Sequence, residues 1–131
     1  MPKFGRRSQK RMEGINPKLR EVLNELIKIM DVTIIEGIRS ERKQNEYFKK
    51  GKSKIDGIIK KGQHQLGNAV DLAPYPIDWG DIDRMHYMGG MLIGIGHILG
   101  YKLRWGGDWD RDGEVKDNSF DDLVHIEIRD A

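Results

Sequence analysis

The segment Asp122-Leu123-Val124-His125-Ile126-Glu127-Ile128 sets the hardest constraint on how this chain can fold. Its β-branched and aliphatic residues read as a strand over 123–128. A histidine inside an otherwise apolar strand is costly unless it is hydrogen-bonded or ligated. Any fold must therefore bring a partner to His125. Alternation puts His125 on one face with Leu123 and Glu127. Asp122 stands three residues earlier, in the turn that leads into the strand, where it can point at the same place.

A second segment offers the partner. Gln63-His64-Gln65-Leu66-Gly67-Asn68-Ala69-Val70-Asp71 places a His before a short strand and an Asp within it, with Gly67 between them to let the chain bend back. The chain has no cysteine, so disulfides and thiolate metal sites are excluded, and a transition-metal site must use His and carboxylate. Together His64, Asp71 and His125 make a three-ligand zinc set with a fourth position open. Asp122 beside it is a candidate general base, so the parts of metal-assisted hydrolysis are present. Taken singly, the first segment also fits a surface His beside an unrelated Asp, and the second fits a satisfied core His.

The elements around these segments follow from local signals. Asn16 and Pro17 open a helix whose apolar stripe runs through Leu19, Val22, Leu23, Leu26, Ile27 and Met30. Residues 32–36 read as a buried strand. Ser40 caps a helix over about 41–50, stopped by Gly51, and a Lys- and Gly-rich loop covers 51–63. Residues 69–73 form a strand ended by Pro74 and Pro76. A helix spans about 82–99, and its glycines at 89, 90, 94 and 96 imply close packing against another element. Tyr101, Leu103 and Trp105 alternate with Lys102 and Arg104 as a half-buried strand. The mixed order predicts an α+β fold. We expect a small antiparallel sheet packed with about three helices around a zinc site, in a single domain over residues 1–131, long enough to bury one core.

Charge narrows the partners only slightly. Lys3, Arg6, Arg7, Lys10 and Arg11 stand in the first eleven residues without an acid, and lysines recur from Lys49 to Lys61, yet the net charge is +2. These basic patches fit either a solvated face or an anionic surface. A nucleic-acid or metal-stabilised binding module is the reading from another class, but it leaves Asp122 without a purpose. Nucleic acid is not expected as a partner. No apolar run approaches the roughly 18–20 residues needed to span a bilayer, and no signal peptide is visible.

Asp108, Asp110 and Asp112, followed by Gly113, match the opening of an EF-hand loop, with acids at its first, third and fifth positions. The twelfth position falls on Ser119, and strands flank the loop. Asp117, Asp121 or water would then complete a calcium shell. An acidic surface turn is the alternative. If calcium binds, ordering this loop would fix Asp122 and His125 and so gate activity.

These motifs, taken together, resemble the zinc metallopeptidases related to D-Ala-D-Ala carboxypeptidases, and within them the bacteriophage endolysins that act as L-alanyl-D-glutamate peptidases. The likeness lies in His64, Gly67, Ala69 and Asp71, in Asp122 and His125, in Gly37-Ile38-Arg39-Ser40, in Trp105-Gly106-Gly107-Asp108-Trp109, and in the opening Gly14-Ile15-Asn16-Pro17-Lys18-Leu19. It covers nearly the whole chain, in order. Three departures are visible. Gly62 stands where the family often has Ser, Asp122 where many relatives use Glu, and Leu123-Val124 where Pro or Trp is more usual. The resemblance implies zinc on His64, Asp71 and His125, Asp122 as base, and Arg39 stabilising the oxyanion on the attacked carbonyl. Glu127 is then read as an outer group that orients His125, and His86 and His97 as structural or exposed. The resemblance also implies bacterial peptidoglycan as substrate, with the L-Ala–D-Glu bond favoured over D-Ala-D-Ala carboxypeptidase action. A monomer is expected, made in the host cytoplasm and reaching the wall after the membrane is permeabilised.

Overall fold

The computed structural model describes residues 2–52, 57, 62–113 and 122–129. The chain opens with a short helix, α1 (Arg6–Arg11), that the apolar pattern does not announce. Its one buried residue is Ser8, whose Oγ accepts from the Ile34 backbone N–H at 3.0 Å, while Arg11 Nη1 donates to the Ile34 carbonyl at 2.9 Å. The helix therefore rides on polar groups rather than on an apolar stripe. Helix α2 (Pro17–Ile27) follows, with Asn16 accepting from Lys18 N at 2.9 Å and Pro17 in the first turn, as its sequence requires. Met30 lies past its end, in a turn, and packs partly against the core.

Strand β1 (Val32–Glu36) leads to α3 (Glu41–Lys49), where Ser40 Oγ accepts from Lys43 N at 3.1 Å. Most of the expected 51–63 loop lies outside the described residues. Strand β2 (Ala69–Pro74) is followed by α4 (Ile82–Leu99), capped by Asp81 and ended by Gly100 in the left-handed region. Strands β3 (Leu103–Gly106) and β4 (Asp122–Ile128) complete the fold. The architecture is α+β as expected, with four described helices rather than about three, α1 being the addition.

All strand pairs are antiparallel, in the order β1-β2-β4-β3. Since β1 is an edge strand, α1 lying against it covers polar backbone that would otherwise invite pairing with another chain.

The two faces of the sheet differ because side chains alternate. Val32, Ile34, Val70, Leu72, Leu103, Trp105, Ile126 and Ile128 point to one side, where Leu19, Val22, Leu23 and Leu26 of α2 and Met88 and Leu92 of α4 close the core. The glycines of α4 divide in the same way. A Cβ on Gly89 would fall 2.2 Å from the Trp105 ring and one on Gly96 2.4 Å from Leu103, whereas Gly90 and Gly94 face open space. Close packing thus accounts for two of the four. The intervening strand residues, Asp71 on β2, Arg104 on β3, and His125 and Glu127 on β4, face away from the core.

Candidate active site

Asp71 and His125 are direct cross-strand partners in the β2–β4 ladder, so their side chains stand side by side on the same face. His64 reaches them from the turn before β2. Gly67, at φ +77°, bends that turn back as the sequence suggested, and its carbonyl accepts from Asn16 N at 2.8 Å. His64 Nε2 lies 3.2 Å and His125 Nδ1 3.4 Å from the same oxygen, Asp71 Oδ1. The two imidazoles meet edge to face, with ring centroids 5.1 Å apart. All three ligand atoms lie within 4.8 Å of one another.

Asp71 Oδ1 is a buried carboxylate oxygen with no hydrogen bond among the described residues. An unsatisfied buried charge is expensive. A cation shared by this oxygen and the two nitrogens that face it would remove the cost. The donor set, two imidazoles and one carboxylate, is of the kind zinc takes in catalytic sites. The residues present therefore fit the metal that the sequence implies.

The outer nitrogens of both rings are fixed. His64 Nδ1 lies 3.0 Å from the Gly37 carbonyl, and His125 Nε2 lies 2.8 Å from Glu127 Oε1. Both contacts suit donation of a ring N–H outward, which leaves Nε2 of His64 and Nδ1 of His125 as inward acceptors. Glu127 is only 2% exposed. Its charge is balanced by Arg129 Nη1 at 2.7 Å and Arg104 Nη2 at 3.3 Å. Burial pushes its pKa up, but His125, Arg129 and Arg104 outweigh that and hold the carboxyl well below the usual range. Glu127 thus meets the His125 ring at Nε2, while Nδ1 faces Asp71.

The same competition runs at Asp71 in the absence of metal, where burial opposes ionisation and the close approach of the His125 and His64 rings overcomes it. Burial also opposes charge on His125, yet Asp71 and Glu127 raise its pKa to about 9 without metal.

Asp122 stands at the entrance of the strand, as the sequence suggested, but within its ladder. It is the first residue of β4, not part of a turn. Trp105 pairs with Ile126, so a regular ladder would place Gly106 opposite His125, but Gly106 pairs with Asp122 instead. The β3 ladder therefore skips 123–125 while His125 keeps its pairing with Asp71 on the β2 side. Trp105 Nε1 ties down this irregularity by donating to the Leu123 carbonyl at 2.8 Å. Such bulges re-aim side chains near active sites. Burial first, and then the Asp71 charge, push the pKa of Asp122 up; His125, His64 and Arg39 pull the other way. Asp122 thus shares its electrostatic surroundings with all three candidate ligands and with Arg39.

Arg39 follows β1. Its backbone N–H donates to the His64 carbonyl at 3.0 Å, and its guanidinium stacks 4.7 Å from the centre of the Tyr47 ring. The residue is in contact with Glu36, whose pKa burial pushes up and whose Lys43 and Arg39 partners bring it below its ordinary value.

Three further participants did not emerge from the sequence. Trp109 sits with its ring 5.3 Å from that of His125, and Arg104 lies over the same indole at 5.2 Å. Arg129 completes the charge balance of Glu127. The alternation of Leu103, Arg104 and Trp105 already sets Arg104 on the face opposite the core, which was the available signal. His86 and His97 stay away from the site. His86 packs edge-on against Trp105 and its Nδ1 faces the Ile82 carbonyl, while His97 is exposed.

Asp108, Asp110 and Asp112 also converge, with carboxylate oxygens within 4.8 Å. The cluster already serves its own backbone, since the two oxygens of Asp108 accept from Asp112 N at 3.2 Å and Gly113 N at 2.9 Å. Asp117, Ser119 and Asp121 lie outside the described residues.

Two imidazoles and a carboxylate turned to one point on the face of a small antiparallel sheet opposite the core, with a further carboxylate near them, define the class of metal-dependent hydrolases. Comparison with known proteins narrows this class. The sequence model of the family described as phage L-alanyl-D-glutamate peptidase matches residues 1–129. The L-alanyl-D-glutamate peptidase of Escherichia phage T5 is 32% identical over 135 residues, covering 96% of this chain and 97% of the relative. This chain belongs to the phage L-alanyl-D-glutamate peptidase family. Solved structures agree on the fold. The L-Ala D-Glu endopeptidase ChiX of Serratia marcescens superposes with a TM-score of 0.80 at 23% identity, covering 96% of this chain and 89% of its own. The vancomycin-resistance D,D-pentapeptidase VanY, solved in complex with Zn(II), gives 0.54 at 17% identity, covering 87% and 72%.

Proposed function

We propose that this chain is a zinc-dependent endopeptidase that hydrolyses the L-Ala–D-Glu bond of bacterial peptidoglycan peptides, as a single catalytic unit serving phage-induced host lysis. The observation that carries this reading is the convergence of His64 Nε2, Asp71 Oδ1 and His125 Nδ1 within 4.8 Å on one face of the sheet. The family to which the chain belongs supports the choice of bond. Among the described residues no helix is long and apolar enough to cross a membrane.

In this reading His64, Asp71 and His125 hold the metal. Zinc bound there supplies Lewis acidity, polarising a carbonyl oxygen and easing loss of a proton from water. Asp122 accepts a proton at its carboxylate from the attacking water and returns it to the departing D-Glu amine. Its burial and its neighbour Asp71 both favour a base of higher pKa than a surface aspartate. Arg39 supplies fixed positive charge where the oxyanion develops. Glu127 and the Gly37 carbonyl keep the two imidazoles in the tautomers that ligation needs.

Digestion of purified peptidoglycan, followed by mass analysis of the new ends, tests the reaction. New N-terminal D-Glu is the expected product. Release of free D-Ala would point instead to carboxypeptidase action, and no product in the presence of zinc would sink both.

The loop of Asp108, Asp110 and Asp112 is read as a second, calcium-dependent element that orders the approach to Asp122. The mutual approach of its carboxylates is the supporting observation. Asp110→Ala should then lose activity and regain part of it in high calcium. Full activity of that variant in calcium-free buffer would remove calcium from the reading.

A further inference from the structure

The turn between β1 and α3 grips His64 on both sides. Ile34 pairs with Leu72 but Glu36 pairs with Asp71, so Ile35 is an extra residue in the ladder. This bulge sets Glu36 opposite a candidate metal ligand and starts a turn that closes on the His64 residue. The Gly37 carbonyl faces His64 Nδ1 at 3.0 Å, and Arg39 N donates to the His64 carbonyl at 3.0 Å. The backbone of this turn is therefore registered to the metal site.

The side chain of Arg39 is held separately. Arg39 Nε donates to Glu36 Oε1 at 2.5 Å, and Nη1 donates to Gln44 Oε1 at 2.7 Å. The Tyr47 ring covers one face of the guanidinium. Glu36 is itself anchored, since its Oε2 accepts from Lys43 Nζ at 2.7 Å and from the Tyr47 hydroxyl at 3.4 Å. Its side chain is 13% exposed, and that of Arg39 12%. An unrestrained arginine side chain samples many rotamers, and fixing it costs entropy. A donor that stabilises developing charge works best when it is already in place and needs no rearrangement as the charge forms.

We propose that Glu36 is a positioning residue for catalysis, whose carboxylate holds the Arg39 guanidinium in the orientation that meets the reacting carbonyl oxygen. The inference rests on the oxyanion role of Arg39 in the proposed reaction. The competing account is that Glu36 merely ties β1 to α3 through Lys43.

Kinetics of the zinc-loaded protein on a soluble muropeptide containing L-Ala–D-Glu separate the accounts. The variants are Glu36→Gln, Glu36→Asp, Arg39→Ala, Lys43→Met and the double Glu36→Gln/Arg39→Ala. Arg39→Ala should lower kcat by about 10²–10³-fold. Glu36→Gln should lower kcat by about tenfold, with KM and zinc content unchanged, as a loss confined to transition-state stabilisation requires. In the Arg39→Ala background Glu36→Gln should add nothing, because Glu36 acts through Arg39. Lys43→Met, which loosens the anchor of Glu36 but leaves the bond from Glu36 to Arg39, should lower kcat by less than Glu36→Gln does. If Glu36→Gln does not fold, Glu36→Asp carries the same test, with a smaller loss that again vanishes in the Arg39→Ala background. Losses that multiply in the double variant, or a kcat drop in Lys43→Met equal to that in Glu36→Gln, would overturn the proposal in favour of the structural tie. Unchanged kcat in Glu36→Gln beside an impaired Arg39→Ala would overturn it while leaving the reaction intact. Unchanged kcat in Arg39→Ala would instead remove the oxyanion role on which it rests.

Discussion

Asp122→Asn is expected to lower kcat by about 10²–10⁴-fold, the usual contribution of a general base, while the protein keeps its zinc. Asparagine has nearly the same shape as aspartate, so the pairing of residue 122 with Gly106 and the bulge that presents it should persist. What disappears is the ability to accept a proton. Asp122 is not one of the three groups whose ligand atoms converge, so metal content after dialysis should match that of the parent protein. Binding of an uncleaved substrate analogue should also be little changed, because the loss falls on the chemical step. Metal analysis beside steady-state kinetics checks both halves. A variant that loses zinc along with turnover would reassign Asp122 as a ligand or as support for one. A variant with near-parental kcat would require a different base.

How far the sequence reaches depends on which forces place each residue. Helices α2 and α4 were legible because their apolar stripes and caps are local signals, and Asn16, Pro17, Asp81 and Gly100 act at the positions where they stand. Helix α1 was not, because Ser8 and Arg11 join it to Ile34 through polar bonds to a strand more than twenty residues away. No periodicity records that.

The convergence of His64, Asp71 and His125 was legible from chemistry. A histidine in an apolar strand demands a partner, and a cysteine-free chain leaves few choices. The alternation that put Glu127 beside His125 held because both belong to the part of β4 paired regularly with β2. Asp122 was misplaced in a turn because its position depends on a slip between β3 and β4, a property of two distant segments and of the Trp105 bond to Leu123. Arg39 came from family resemblance alone. Nothing local in Glu36-Gly37-Ile38-Arg39 says that the guanidinium will lie between Glu36, Gln44 and Tyr47. Trp109 and Arg104 were missed for the same reason, since the partners they meet, His125 for Trp109 and Glu127 and Trp109 for Arg104, are chosen by tertiary structure.

His125→Ala should abolish both zinc retention and turnover while leaving the domain folded. His125 provides one of three converging donors, and two donors with a gap cannot make a catalytic zinc site with three protein ligands. The fold should survive because the core lies on the other face, where Ile126 and Ile128 are buried independently of the ring. Glu127 would lose its imidazole partner but keep Arg104 and Arg129, so no isolated buried charge results. Loss of the ring also exposes one side of Trp109, a change that tryptophan fluorescence should register. Glu127→Gln is the informative companion. It removes charge behind the ring but leaves the ligand, and outer-shell changes of this kind cost about 10–100-fold in metal affinity or activity. The expected order of zinc affinity, measured by competition with a chelator, is parent, then Glu127→Gln, then His125→Ala with no measurable site. Circular dichroism of each variant separates metal loss from unfolding. A folded His125→Ala protein that still held one zinc per chain at parental affinity would show that the metal sits elsewhere. The convergence of His64, Asp71 and His125 would then need a purely structural explanation, such as protonated imidazoles neutralising Asp71.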